Sequence, residues 1–513
     1  MLSRVFSAAV YGVDGYIVTV ETDITHGLSQ FNIVGLPDAA VKESQHRVQA
    51  AIKNSGFTFP NRKITVNLAP ADVKKEGAAF DLPMAVGILA AGGTIQPGAL
   101  RDLAFLGELS LDGSVRPIKG AVSMAVAAKL AGLRGLIVPT QNATEAGMVE
   151  GLEVYAAASL IEVVNFVNGL AAIEPTRTDV AALFARAAVQ PVDLSEVHGH
   201  EHAKRALEIA AAGGHNALMI GPPGSGKTML ARRLPTILPP MTLAEALEAT
   251  RIHSVVGALS TDRPLVATRP FRSPHHNISE SGAVGGGTVP RPGEASLAHN
   301  GVLFLDELPE FRRDVLESLR QPLEDGEVTI GRARSTFTFP ARFMLICAMN
   351  PCPCGFAGDP RHTCACSPQK IRHYRSKISG PLLDRIDIHI EVPALKYDDI
   401  STKRAGESSN AVAERVARAR RTQLARFAAT GSRHPVYSNA QMGPQLIRKF
   451  CPVSTQSDEI LRAAIDRLGL SARAYHRVLK VARTIADLED KESIQPSHIT
   501  EAVQYRTLDR TAW

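Results

Sequence analysis

The sequence predicts an α/β protein of about three domains. Three observations carry this. At 513 residues the chain is longer than one hydrophobic core usually serves. Gly221-Pro222-Pro223-Gly224-Ser225-Gly226-Lys227-Thr228 fits the phosphate-binding loop pattern, between the apolar run Ala217-Leu218-Met219-Ile220 and a helix-compatible stretch from Met229 to Leu234 that stops before Pro235. Two further apolar runs, Gly301 to Leu305 and Phe343 to Met349, suit buried strands and end in polar side chains, Asp306-Glu307 and Asn350.

Residues 1–170 read as an α+β domain. Alternation in Ile17 to Thr22 and in Phe31 to Val34 predicts strands, as does Lys63 to Leu68. Ala39 to Ser55, Asp81 to Ala91 and Ala121 to Ala131 read as helices; Gly132 stops the last before the strand Gly135 to Pro139. Residues 171–193, with Pro175 and Pro191, form the expected linker, residues 194–395 the nucleotide-binding core, and residues 396–513 a mainly helical domain.

Composition excludes more than it selects. A net charge of +6 from 57 basic and 51 acidic residues is compatible with a polyanionic partner without being polybasic. Met1 to Val10 is too short for a signal peptide, and the uncharged run Leu82 to Leu100 is broken by Pro83, Pro97 and glycines, so a soluble cytoplasmic chain with no membrane partner is expected.

The loop's chemistry follows from its residue types. Glycines let backbone N–H groups turn toward phosphate oxygens, Lys227 reaches the outer phosphates, and Thr228 supplies a hydroxyl for Mg²⁺. Asp306 is the second Mg²⁺ holder, and Glu307 the group that polarises an attacking water. Asn350 suits orienting that water near the γ-phosphate. Cys352-Pro353-Cys354 and Cys364-Ala365-Cys366 offer four thiolates for a structural Zn²⁺, with His362 a possible substitute ligand. Cys347 and Cys451 sit among apolar neighbours and read as core residues. His275 and His276 lack the spaced partners a metal site needs.

Together with Phe271-Arg272-Ser273-Pro274-His275-His276 and Gly293 to His299, these motifs resemble the Mg-chelatase-like AAA+ ATPase family, of the YifB-like kind, over nearly the whole chain. The first domain resembles the Lon-protease-like fold through Lys75 to Pro83, Gly107-Glu108-Leu109 and Pro117 to Gly120. At the positions of that fold's catalytic serine and lysine stand Ala79 and Val122, so proteolysis is not expected. Whether this domain packs and oligomerises or guides DNA stays open. His200 stands where the family usually has glutamine.

The resemblance implies further roles. Arg385, in Gly380 to Asp387, matches the arginine finger that acts on a neighbouring subunit's ATP. Arg473, in the first turn of a helix capped by Ser471, matches a nucleotide-sensing arginine, and residues 396–513 match a helical lid. Gly282 to Gly287 suits a mobile pore-loop tip. Thr329 to Thr336 suits a channel hairpin with Arg332 and Arg334 available to phosphates; the basic helix Ala411 to Phe427 reads as a solvated face or a DNA contact. The implied protein is a homo-hexameric ATP- and Mg²⁺-dependent motor. It would move branched and single-stranded DNA during homologous recombination and natural transformation, alongside recombination proteins. The alternatives are a magnesium-chelatase-type subunit remodelling a protein partner and a nucleotide-gated interaction module.

Overall fold

Seven strands of the N-terminal region form one mixed sheet: β1 Leu2–Tyr11, β2 Asp14–Thr25, β3 Gln30–Val34, β4 Lys63–Ala69, β5 Leu103–Phe105, β6 Gly135–Pro139 and β7 Glu153–Ala157. Their order is β3-β4-β2-β1-β5-β6-β7. The structure, a computed structural model of the chain, describes residues 2–187, 192–287, 290–332, 335–359, 361–395, 406–429, 436–468 and 471–506. Strand β1 carries no clear sequence signal because its inward positions include Ser3 and Ser7 beside Val5, yet it pairs antiparallel with β2 from Leu2↔Asp23 to Tyr11↔Asp14.

Helices Ala39–Asn54, Asp81–Ala91, Ala121–Leu130 and Leu160–Val167 accompany the sheet. Asp38 caps the first by accepting from the Val41 N–H, and Ser159 caps the last through the Glu162 N–H. Helix Asp81–Ala91 is buried along its whole length, which matches its apolar composition.

The chain divides into two compact units, Met1–Arg186 with Ala246–Ala267, and Ala187–Glu245 with Thr268–Trp513. Within the 194–395 span, Ala246–Ala267 groups with the first unit. There the Gly120 N–H donates to the Ser254 carbonyl at 3.1 Å, and Arg251 donates to the Val13 carbonyl at 3.2 Å and to Asp14.

The second unit contains a five-stranded parallel sheet built from β8 Ala217–Ile220, β9 Phe271–Arg272, β10 Val302–Leu305, β11 Met344–Met349 and β12 Ile388–Glu391, in the order β9-β10-β11-β8-β12. Its central strands are buried on both faces, and the two-residue period divides them between two cores. Met219, Phe304 and Ile346 pack with the C-terminal helices, whereas Leu218, Leu305 and Leu345 pack on the opposite side. Five helices, Ser409–Ala428, Pro444–Phe450, Thr455–Leu468, Ala472–Leu488 and Pro496–Gln504, make up the C-terminal part.

Of three further expectations, two change and the hairpin forms as expected. Gly282–Val284 lies in the helix Glu280–Val284, and Gly285-Gly286 pairs with Arg291-Pro292, so only Gly287 of the expected glycine tip lies outside helix and strand. The hairpin forms from Glu327–Arg332 and Ser335–Pro340, with Arg332 paired to Ser335 in the ladder; Arg334 lies outside the described residues. The arginines of the basic helix largely serve the fold. Arg415 holds Glu208 and Glu407, Arg418 holds Asp490, and Arg426 holds Asp487. Arg420 donates to the Ala211 and Ala212 carbonyls near the end of helix Glu201–Gly213, where a cation also meets the negative helix terminus.

Candidate functional site at the strand ends

In a parallel sheet the carboxyl ends of neighbouring strands converge, so chemistry placed at those ends meets in one cleft. Here β8 leads into Gly221, β10 into Asp306 and Glu307, and β11 into Asn350. The Gly221 N–H donates to the Met349 carbonyl at 3.2 Å, tying the start of the loop to the strand that carries Asn350. Pro223, Gly224, Ser225, Gly226, Lys227, Thr228, Met229, Asp306, Glu307 and Asn350 line a cavity of about 420 Å³, within the size range of small-ligand sites.

Lys227 folds back into the loop. Its Nζ donates to the Gly221 carbonyl at 2.7 Å and the Pro222 carbonyl at 2.8 Å, and reaches Asn350 Oδ1 at 3.3 Å. Burial holds its ammonium below the ordinary lysine value, and the Asp306 carboxylate works against that shift. Thr228 Oγ1 donates to Asp306 Oδ2 at 2.7 Å, so the hydroxyl and carboxylate read as Mg²⁺ holders already face each other. These oxygens are hard donors of the kind Mg²⁺ takes.

Glu307 follows on the same strand end with φ 54°, a left-handed conformation costly for a side-chain-bearing residue and concentrated at functional sites. Its Oε2 lies 3.3 Å from His276 Nδ1. The His276 ring is in turn set by His275, with centroids 4.1 Å apart, and by the edge of the buried Phe311 at 6.4 Å. Sequence reasoning left His276 without a specific role. The available signal was its position four residues beyond Arg272, the end of the strand paired beside β10. His200 also has a left-handed backbone, φ 58°, and its ring lies beside the loop: a Cβ added to Gly226 would be 3.7 Å from His200 Nε2.

Arg385 and Arg473 stand apart from this cavity. Arg385 is 7% exposed and its guanidinium is held within its own chain, by Glu324 and by the Pro381 carbonyl at 2.6 Å. The local carboxylate is thus Glu324, not Asp384 or Asp387. Arg473 is exposed in the first turn of helix Ala472–Leu488, which Ser471 caps by accepting from the Ala474 N–H.

The four cysteines converge. Their Sγ atoms all lie within 4.8 Å of one another, with Cys352–Cys354 at 3.3 Å, Cys352–Cys364 at 3.7 Å and Cys354–Cys364 at 3.6 Å. Tetrahedral Zn²⁺ with Zn–S bonds of about 2.3 Å sets sulfurs roughly 3.8 Å apart, so the thiol set is compatible with Zn²⁺. The Phe356 backbone N–H, followed by the neighbouring Cys352, draws the Cys354 thiol down to about 6. His362 pairs with Asp359 at 3.0 Å and packs against Phe356 at a tilt of 33°, outside the four-sulfur group. Cys347 and Cys451 are buried core residues. No helix among the described residues is long and apolar enough to cross a membrane.

Comparison with known proteins agrees with this geometry. Residues 193–400 match the family described as magnesium chelatase, subunit ChlI; residues 20–142 match subunit ChlI of Mg-chelatase, and residues 406–506 its C-terminal family. The chain is 46% identical to competence protein ComM of Haemophilus influenzae over 99% of its own length and 98% of that protein. It is 45% identical to the uncharacterized protein YifB of Escherichia coli over the same shares. Lon protease 2 of Bacillus subtilis is 29% identical over 28% of this chain and 27% of its own. With the parallel-sheet core, the strand-end site and full-length likeness in hand, the chain belongs to the Mg-chelatase-like AAA+ ATPases of the YifB/ComM type.

Proposed function

We propose that the protein is a ring-forming ATPase that uses hydrolysis to move branched DNA during homologous recombination and natural transformation. The observation that carries the ATPase part is the convergence of Lys227, Thr228, Asp306, Glu307 and Asn350 on one cavity. When bound, Mg²⁺ would neutralise phosphate charge. Thr228 and Asp306 would hold the ion, Lys227 would turn from the loop carbonyls toward the outer phosphates, and Asn350 with Glu307 would orient and polarise the attacking water. His276 holds the Glu307 carboxylate to one side of the cavity.

Full-length likeness to a protein named for competence supports the DNA part. In this reading Arg385 leaves Glu324 and completes the site of the next subunit, Arg473 senses nucleotide from the lid, and the hairpin from Glu327 to Pro340 faces DNA. A homo-hexamer in the cytoplasm, acting on single-stranded and branched DNA with recombination proteins, is the assembly this reading expects. Zn²⁺ on the four cysteines completes it as a structural cofactor.

The test measures ATP hydrolysis alone, with single-stranded DNA and with a labelled branched junction, for wild type and Glu307→Gln. Wild type is expected to move the junction only with ATP, and the variant to lose about 10²- to 10⁴-fold in turnover. ATP turnover without DNA binding or junction movement at any salt concentration would leave the chelatase-type or partner-remodelling reading. Nucleotide binding without turnover would leave the interaction module.

A further inference from the structure

The cysteine group is not remote from the nucleotide cavity. Only Pro351 separates Asn350, on the cavity wall, from the fully buried Cys352. Arg375 clamps that joint by donating from Nε at 3.1 Å and Nη2 at 3.0 Å to the Pro351 carbonyl. The turn after Cys354 closes with the Gly355 N–H on the Cys352 carbonyl at 2.9 Å. Gly355 adopts φ +87°, and a Cβ there would lie 2.5 Å from Pro223 Cδ and 3.1 Å from Cγ. The cysteine turn therefore rests directly on the phosphate loop, close enough to admit only glycine.

Both ends of this contact reach Lys227. Its ammonium holds the carbonyl of Pro222, the neighbour of Pro223, and the amide oxygen of Asn350, which leads into Cys352. The turn has little apolar core of its own. Ala357 donates its N–H to Cys352 Sγ at 3.3 Å, and Phe356 packs on His362 with ring centroids 4.7 Å apart. Four soft sulfur donors at this spacing suit Zn²⁺, and filling such a site ties together a turn that has few apolar contacts of its own.

We propose that Zn²⁺ bound by Cys352, Cys354, Cys364 and Cys366 braces the phosphate loop through the Gly355–Pro223 contact and the Cys352–Asn350 connection, so that zinc occupancy and nucleotide affinity are coupled. The inference rests on the reading of the loop as an ATP site. Coupling of binding free energies is reciprocal, so nucleotide must tighten zinc by the factor with which zinc tightens nucleotide.

The experiment uses the full chain. Zinc is quantified by elemental analysis and withdrawn with a chelator, and affinity for a fluorescent ATP analogue is measured before withdrawal, after it and after zinc is restored, with circular dichroism recorded throughout. Zinc withdrawal is expected to weaken nucleotide binding roughly fivefold or more, reversibly, and saturating nucleotide to raise zinc affinity by the same factor. Pro223→Ala removes the ring atoms facing Gly355 while leaving all four thiols; its zinc content is expected to stay at wild-type level while the coupling factor falls toward one. Equal nucleotide affinity with and without zinc, wild-type coupling in Pro223→Ala, or no zinc in the purified chain would overturn the brace. So would collapse of the whole circular-dichroism signal on zinc withdrawal, because the metal would then hold the fold rather than the loop. Zinc-loaded wild type that binds no nucleotide would overturn the ATP reading itself, and the brace with it.

Discussion

The two units treat their polar side chains in opposite ways. In the first, the Lon-like positions hold Ala79 and the buried Val122, and the charged groups nearby are occupied by structure. Lys75 is wholly buried with Nζ on the Val73 carbonyl at 2.7 Å; Asp81 accepts from Arg47 at 2.8 and 3.1 Å and from the Leu109 N–H at 3.2 Å. In the second unit Lys227, Thr228, Asp306, Glu307 and Asn350 also bond to neighbours, but they line a cavity that a ligand can enter. A buried, fully partnered charge maintains a fold, whereas one that can exchange its partner for a ligand can do chemistry.

This contrast can be broken or sharpened by substitution. Under the proposed ring, the largest effect is expected for Arg385, which would exchange Glu324 for a neighbouring chain's nucleotide. Arg385→Ala should lose about a thousandfold in ATP turnover, and mixing it with Lys227→Ala subunits should recover part of that activity. Mixed rings with no recovery would confine Arg385 to its bond with Glu324. Next comes a charge of the structural kind inside the second unit. Asp387 is buried with Arg477 and His215. Burial alone would raise its carboxyl, but Arg477, then His215, outweigh it and hold the group well below the usual carboxylate range.

A carboxyl depressed in the folded state contributes stability above its unfolded value of about 3.9, and that contribution is lost as pH falls through the folded value. Asp387→Asn should therefore cost about 3 kcal/mol near neutral pH and weaken the acid dependence of urea midpoints below about pH 4. An unchanged midpoint would place Asp387 outside the structural class. His276→Ala should lower ATP turnover about tenfold while leaving nucleotide affinity near wild type, because only the orientation of Glu307 changes. Equal losses in affinity would mean His276 supports the loop instead. The smallest effect belongs to Ala79→Ser. Stability should move by less than about 0.5 kcal/mol, and a serine-directed fluorophosphonate should leave the chain unlabelled, since Val122 supplies no base; labelling would break the comparison outright.

Legibility in the sequence followed how local each signal is. The segment Gly221 to Thr228 declares a phosphate loop through consecutive residue types, and the apolar runs ending at Leu305 and Met349 declare buried strands; all three strand ends meet where the parallel sheet brings them. Helix Ala472–Leu488 and its Ser471 cap were equally readable, since periodicity and capping are short-range properties. Strand β1 was not, because serines alternate with its apolar residues and its partner is set by register with β2. The basic helix misled for a related reason. Its arginines look solvent-directed in sequence, but Arg420 and Arg426 find carbonyl and carboxylate partners more than a dozen residues away.

By itself the sequence determined the chemistry available: a phosphate loop, two carboxylates and an amide at strand ends, four thiols, and the absence of a nucleophile at Ala79. These depend on residue type and near spacing, which a linear chain carries in full. Only the tertiary structure decided which groups meet, because contacts across a sheet arise from strand order and long-range packing. It set His276 against Glu307, turned Arg385 onto Glu324, and seated Gly355 on Pro223.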